Sequence, residues 1–114
     1  MKLFIYGTLK TGYCRHHVLE EQTYLGEART AAKYRLVDTG SYPALVEDPN
    51  GLEIEGQLWD IDPSCLDAID ALEGAPDLFK RKPVALKEPS EQDAQTYIYQ
   101  HSVNGLADSA NRWG

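Results

Sequence analysis

A short apolar run near the start of the chain, ending in glycine, constrains the fold more than any other feature. Residues 3–6 are Leu-Phe-Ile-Tyr, and Gly7 follows them directly. Four β-favouring residues that end in glycine predict a buried strand that breaks abruptly into a loop. Gly7 allows either a positive φ or the close approach of a ligand, so the N–H groups of residues 7–9 could form an anion-binding concavity. The alternative is a plain tight turn after an edge strand, in which Thr8 bonds only to its local backbone.

Size and charge limit the class of protein. The chain has 114 residues, of which 42% are apolar, and its formal net charge is −7. These values predict one domain over residues 1–114 with enough apolar surface for a core. Scattered negative charge argues against nucleic acid or an acidic membrane as a partner. No run approaches the roughly 18 apolar residues of a membrane span, and the start lacks the features of a secretory leader. We therefore expect a cytoplasmic protein, and a monomer.

The hydrophobic pattern predicts many strands and few helices. Strands are expected over residues 24–30, 33–37, 41–46, 53–61, 82–86 and 96–100, and a short helix over residues 15–21. The Asp-Pro-Asn-Gly turn signal at residues 48–51 predicts that the strand over 53–61 returns alongside the strand over 41–46. Pro43 is expected at an edge or a bulge. This mixture predicts an α+β fold, and the pattern alone leaves open whether the sheet closes.

The clearest helix signal lies in the second half of the chain. Asp62 suits the N-cap, Pro63 suits the first helical position, and Gly74 suits the C′ position that ends a helix. Asp67 and Asp70 are expected on its solvated face. Three apolar side chains form a stripe at helical spacing: Leu66, Ile69 and Leu72.

Glu73 is the strongest candidate for a chemical role. At about 100° per residue it falls between Leu66 and Ile69 on the apolar stripe, so its carboxylate is expected to face the interior. Desolvation and the negative end of the helix dipole should both raise its pKa. A carboxyl group with a pKa of ~6–7 can take a proton from one amine and give it to another near neutral pH. The alternative is a partly exposed glutamate paired with Lys80 or Arg81.

Five blocks of residues come in the same order as in a known family. They are Tyr-Gly-Thr-Leu-Lys-x-Gly at 6–12, Gly-Ser-Tyr-Pro-Ala at 40–44, Glu-Gly-Gln-Leu-Trp at 55–59, Leu-Asp through Leu-Glu-Gly at 66–74, and Tyr-Ile-Tyr at 97–99. Together they span nearly the whole chain, and they resemble the γ-glutamylcyclotransferase-like family, including its γ-glutamylamine cyclotransferase branch. The resemblance implies a small mixed β-barrel flanked by short helices.

The resemblance also implies a reaction. Family members cleave γ-glutamyl-amine or γ-glutamyl-peptide bonds through attack of the substrate's own α-amine on its γ-carbonyl. The products are 5-oxoproline and a free amine, and neither a protein nucleophile nor a metal or other cofactor is required. Glu73 matches the catalytic glutamate and would act as general acid and base. The residues that would hold the small-molecule substrate are Tyr6, Gly7, Thr8, Leu9 and Tyr99. For Tyr99, a core tyrosine with a satisfied hydroxyl is the alternative.

The histidines and cysteines in this sequence form no pattern that indicates a catalytic or metal site. His16 and His17 are adjacent, so they do not share a helix face, and no third ligand stands at a usable spacing for a metal. Cys14 and Cys65 are far apart and are expected to be buried thiols. The Tyr42-Pro43 block is interpreted mainly as architecture.

Three functions remain open at this point. Cyclotransfer is the leading hypothesis. A non-catalytic small-molecule binding or interaction protein with the same fold is the second, although a binder has no need of a buried acid. Hydrolysis to free glutamate is the third, and it would need an activated water that nothing in the sequence indicates.

Overall fold

Nine strands and one α-helix make up the described part of the chain. The computed structural model describes residues 1–7, 19–40, 42–75, 77–90, 93–109 and 111–112. The elements, in chain order, are β1 (Lys2–Ile5), β2 (Thr23–Thr30), β3 (Tyr34–Asp38), β4 (Pro43–Glu47), β5 (Glu55–Asp60), α1 (Pro63–Leu72), β6 (Phe79–Val84), β7 (Leu86–Glu88), β8 (Ala94–Tyr99) and β9 (Ala107–Asp108).

The strands form two sheets. Six of them make a mixed sheet in the order β6-β8-β1-β5-β2-β7, and three make an antiparallel sheet in the order β4-β3-β9. In the larger sheet β1 runs parallel to β8 and antiparallel to β5. Side chains from both sheets contribute to each of two buried clusters, and the sheets curve into a half-barrel with α1 outside it. The predicted α+β fold with a mixed sheet is confirmed.

Alternation along β1 distributes its side chains between two cores. Phe4 and Tyr6 enter the barrel core, whereas Leu3 and Ile5 face the side that α1 covers. The barrel core consists of Phe4, Tyr6, Ala28, Tyr34, Leu36, Leu45, Ile54, Leu58, Val84, Ala94 and Ile98. The helix-side core consists of Leu3, Ile5, Leu19, Val37, Ala44, Trp59, Ile61, Leu66, Ile69, Phe79 and Tyr97. Tyr6 therefore enters the barrel core at the point where the strand has just ended.

Most predicted strands are confirmed, with ends shifted by one or two residues. The strand predicted over 82–86 is wrong as a single element, because β6 ends at Val84 and β7 begins at Leu86. Pro43 begins β4, an edge strand, as predicted. The helix predicted over 15–21 lies largely outside the described residues, and its last part forms a turn in which the Gln22 N–H donates to the Leu19 carbonyl at 2.9 Å.

The hairpin predicted around residues 48–51 is wrong. The turn itself forms, since the Gly51 N–H donates to the Asp48 carbonyl at 2.9 Å. However, β4 pairs with β3, and β5 pairs with β1 and β2. Beyond the turn the Leu52 N–H donates to the Tyr34 carbonyl at 2.7 Å, and Ile54 is buried in the barrel core. The chain therefore leaves the smaller sheet and joins the larger one.

The predicted helix is confirmed as α1. Asp62 occupies the N-cap, although its side chain makes no capping hydrogen bond, and Pro63 is the first helical residue. Of the predicted stripe, Leu66 and Ile69 are buried against the sheet. Leu72 is not a core residue, because it stands 39% exposed at the end of the helix.

Candidate active site

The end of β1 and the end of α1 meet at a cleft. Tyr6 and Gly7 follow β1 directly, Glu73 follows α1, and all three line the same cavity of about 70 Å³. The lining residues are Phe4, Ile5, Tyr6, Gly7, Tyr42, Pro43, Leu72, Glu73, Leu78, Phe79 and Tyr97. Three residues that the sequence predicts to act together are therefore brought together by the fold.

Backbone hydrogen bonds close the helix end that carries Glu73. Gly74 has a φ of +65°, the left-handed conformation that glycine adopts readily. Its N–H donates to the Ala71 carbonyl at 3.2 Å, and the Ala75 N–H donates to the Asp70 carbonyl at 2.9 Å. These two bonds define a Schellman motif, with Glu73 as the C-cap. The half-buried Glu73 side chain thus lies at a hydrogen-bonded chain reversal in the wall of the cleft.

The Tyr6 hydroxyl is a buried polar group of the cleft. It donates a hydrogen bond to the Tyr97 backbone carbonyl at 2.7 Å. Burial raises the pKa of Tyr6 well above its usual value, the nearby charge of Glu73 raises it further, and a hydrogen bond with the Leu45 backbone opposes both. Tyr6 is therefore a neutral donor at physiological pH, and the Glu73 carboxylate is close enough to influence it.

Gly7 is required for close packing rather than for a positive φ. It is not among the glycines of the structure that have positive φ. A Cβ at this position would lie 2.8 Å from Cγ of Pro43, which is closer than real Cβ contacts come. The close approach that the sequence predicts is therefore made by a protein side chain. The N–H concavity of residues 7–9 stays a prediction, because Thr8 and Leu9 lie outside the described residues.

Tyr99 lies beside the cleft and not on its described lining. Its ring centroid is 5.3 Å from that of Phe79 and 6.4 Å from that of Tyr42, and both of those rings line the cleft. Tyr97, two positions earlier on the same face of β8, lines the cleft itself. Sequence reasoning did not select Tyr97 or Tyr42 as lining residues, although strand alternation places Tyr97 on the face of Tyr99. A substrate contact by Tyr99 stays a prediction.

Asp70 is not the solvated helix charge that the sequence predicts. The Tyr97 hydroxyl donates to its Oδ1 at 2.5 Å, and Nη1 of Arg81 lies 3.1 Å from each of its carboxylate oxygens. Burial and the bond to Asp70 raise the pKa of Tyr97. Asp67 is exposed, as predicted. At about 100° per residue, Asp70 lies about 40° from Leu66 and Asp67 about 100° from it, so only Asp70 borders the buried stripe.

Several predicted features concern residues outside the described ranges. His16, His17 and Cys14 are among them, whereas Cys65 is a half-buried thiol. The described ranges contain no cluster of three or more His, Cys, Asp or Glu side chains that could hold a metal ion. No helix in that part of the chain is both long and apolar enough to cross a membrane. A reaction without metal or cofactor stays a prediction.

A family model covers almost the entire chain. The family described as gamma-glutamyl cyclotransferase, AIG2-like, matches residues 3–114. The chain therefore belongs to the γ-glutamyl cyclotransferase, AIG2-like family.

Individual relatives agree with this assignment. Gamma-glutamylaminecyclotransferase A of Danio rerio is 30% identical over 113 residues, which cover 90% of this chain and 70% of that protein. The gamma-glutamylcyclotransferase family protein ytfP of Citrobacter rodentium is 31% identical over 106 residues, which cover 93% of this chain and 88% of that protein. The crystal structure of an AIG2-like protein from Mus musculus matches with a TM-score of 0.85 at 20% identity, covering 99% of this chain and 87% of that one. That structural likeness confirms the fold.

Proposed function

We propose that this chain is a cofactor-free γ-glutamyl cyclotransferase with Glu73 as its general acid and base. It cleaves a γ-glutamyl-amine or γ-glutamyl-peptide bond and releases 5-oxoproline and a free amine. The observation that carries the proposal is a half-buried carboxylate, Glu73, in the same cleft as the strand end at Tyr6 and Gly7. Family membership supports the class of reaction.

The reaction requires one group that moves a proton between two nitrogens. The substrate's α-amine attacks its γ-carbonyl carbon, and the new C–N bond closes a five-membered ring. Glu73 takes the proton that the attacking nitrogen loses and gives it to the leaving nitrogen as the original γ-amide bond breaks. Holding the glutamyl chain in this geometry is worth up to ~7–11 kcal/mol in favourable intramolecular systems. Acid–base assistance adds roughly 10²–10⁴-fold.

The strand end supplies the other half of the proposed site. Backbone N–H groups of Tyr6, Gly7, Thr8 and Leu9 hold the α-carboxylate of the substrate through charge-assisted hydrogen bonds. This orientation presents the α-amine to Glu73. Tyr99 supports the aromatic wall through Phe79 and Tyr42. We also propose that the protein acts as a cytoplasmic monomer on a small molecule.

The test is a panel of γ-glutamyl compounds that differ in the leaving amine, incubated with the protein in ¹⁸O-labelled water. Mass spectrometry should detect 5-oxoproline in step with free amine for at least one compound. Its N-acylated analogue is the matched control, because acylation removes the nucleophile and leaves the γ-amide intact. The analogue should release no amine.

Three outcomes would contradict the proposal. Glutamate that carries ¹⁸O, or cleavage of the N-acylated compound, would show that water attacks. Binding without any product across the panel would indicate a non-catalytic binding protein.

A further inference from the structure

A cluster of hydrogen bonds ties α1 to the sheet one turn before Glu73. The Asp70 carboxylate accepts from the Tyr97 hydroxyl at 2.5 Å and from Arg81, whose Nη1 lies 3.1 Å from each oxygen. Arg81 and Tyr97 stand directly opposite each other on β6 and β8. Asp70 is therefore held by two adjacent strands at once, through side chains that are mostly removed from water.

The backbone of Asp70 takes part in the same region. Its carbonyl accepts the N–H of Ala75, the bond that closes the Schellman motif. Glu73 lies between these two residues. Asp70 therefore fixes the chain both before Glu73, through its side chain, and after it, through its carbonyl.

Tyr97 connects this cluster to the opposite side of the cleft. Its hydroxyl binds Asp70, while its backbone carbonyl accepts from the Tyr6 hydroxyl at 2.7 Å. Tyr6 and the end of α1 are thus hydrogen-bonded to the same residue of β8. Tyr97 therefore contributes to their separation across the cleft.

We propose that Asp70, held by Arg81 and Tyr97, is a positioning residue that fixes the Glu73 carboxylate relative to Tyr6 and the substrate. Its effect on turnover rests on the proposed function, whereas its effect on the placement of Glu73 does not. A misplacement of about 1 Å in a catalytic group can cost on the order of 10²-fold in rate, so loss of this cluster should be expressed in kcat. Of the described titratable groups, Tyr6, Tyr42 and Tyr97 line the cleft together with Glu73, and Asp70 on α1 and Arg81 on β6 form an ion pair next to Tyr97.

The first experiment compares two substitutions on one helix. Asp70→Asn and Asp67→Asn remove the same charge, but Asp67 is exposed. We expect kcat to fall roughly 10- to 100-fold in Asp70→Asn with KM little changed, and to stay at the wild-type value in Asp67→Asn. Arg81→Lys, which keeps a cation, should retain more kcat than Arg81→Gln.

A second measurement does not depend on activity. The ¹³C carboxyl signal of Glu73, assigned by its loss in Glu73→Gln, is titrated by NMR in each variant. Asp70→Asn removes a negative charge one turn away and leaves Arg81 without its partner, so the titration midpoint should move to lower pH. Arg81→Gln should move it to higher pH, and Asp67→Asn should move it least.

The outcomes separate the two proposals. If wild-type protein forms no 5-oxoproline, the proposed function fails, while the titration still tests whether Asp70 and Arg81 act on the Glu73 carboxylate. If Asp70→Asn does not fold, Tyr97→Phe removes only one hydroxyl and should lower kcat at least about threefold with KM retained. Wild-type kcat in folded Asp70→Asn or Tyr97→Phe, or an unchanged Glu73 titration in folded Asp70→Asn, would overturn the inference.

Discussion

The cleft that Glu73 lines and a second concavity on the larger sheet place ionisable side chains in opposite surroundings. The second one, the charged groove, lies over β2 and β5, and its polar lining consists of Glu27, Arg29, Glu55, Gln57, Glu88 and Arg112. Arg29 approaches Glu55 at 3.2 Å and Glu53 at 3.5 Å, and all three side chains keep contact with water. In the cleft, Glu73 and Tyr6 lie among apolar and aromatic side chains.

The direction of the pKa shifts expresses this difference. Next to the groove, a hydrogen bond from Lys87 lowers the pKa of Glu53, so its partners favour the charged form. In the cleft, burial raises the pKa of Tyr6, so its surroundings favour the neutral form. An environment that favours neutral forms is the kind in which a group can exchange protons near neutral pH. Burial, and not the number of charges, therefore distinguishes the candidate site.

The largest difference between the two regions should be in kcat, when one carboxylate in each region is replaced. Glu73→Gln keeps the shape of the side chain but cannot carry a proton, so kcat should fall at least ~10²-fold while ligand affinity and Tm are retained. Glu55→Gln makes the same chemical change in the groove and should leave kcat unchanged. An active Glu73→Gln enzyme would remove the basis for treating the two regions differently.

The second-largest effect should come from adding a side-chain atom at Gly7, in the wall of the cleft. In Gly7→Ala the new Cβ would meet Cγ of Pro43 at 2.8 Å, so part of the wall must move. Overpacking of this kind lowers the free energy of unfolding by ~1–3 kcal/mol, which urea denaturation can measure.

Pro43→Ala supplies the control for this steric explanation, because it removes the ring atom that the new Cβ would meet. Adding Gly7→Ala to Pro43→Ala should cost much less than Gly7→Ala costs alone. Equal costs in both backgrounds would show that Pro43 is not the reason for glycine at position 7.

Alkaline pH should reveal how much a buried tyrosine of the cleft contributes to stability. The pKa of Tyr97 is raised in the folded state, so above the unfolded value of ~10 the native protein binds the proton more tightly. Its contribution to stability is fully present below that pH and is lost as the pH rises toward the folded pKa. Urea denaturation from neutral pH to beyond the tyrosine range should show a weaker alkaline loss in Tyr97→Phe than in wild type.

Tyr24→Phe is the matched control for the alkaline experiment. A hydrogen bond to Glu27 raises the pKa of Tyr24 as well, but this ring is 47% exposed, so solvent screening should keep its effect small. If the stability of Tyr97→Phe fell with alkaline pH as steeply as that of wild type, a raised folded-state pKa of Tyr97 would be contradicted.

Local signals predicted α1 well, because everything that defines it lies within a few residues of its ends. Pro63 starts it, Gly74 ends it, and the periodicity of Leu66 and Ile69 places Glu73 on the buried side. The prediction that Glu73 faces the interior needed nothing more distant than about two helical turns.

Pairing between distant segments could not be predicted in the same way. The turn at residues 48–51 reverses the chain, but the choice of partner for β5 depends on β1 and β2, which lie far earlier in the sequence. Asp70 gives the same lesson within the site. The sequence predicts a solvated Asp70, and that prediction is wrong because its partners Arg81 and Tyr97 are brought to it only by the β6–β8 ladder.

Removal of a charge from the groove should have the smallest effect. Arg29 is 39% exposed and pairs with Glu55 and Glu53, and ion pairs in contact with water contribute about 0–1 kcal/mol. Arg29→Gln should therefore lower the free energy of unfolding by less than ~1 kcal/mol and leave kcat/KM unchanged. Because salt screens such pairs, the difference from wild type should shrink between ~0.1 M and ~1 M salt. A loss above ~2 kcal/mol, or a fall in turnover, would show that the groove charges support the structure or the reaction as much as the cleft does.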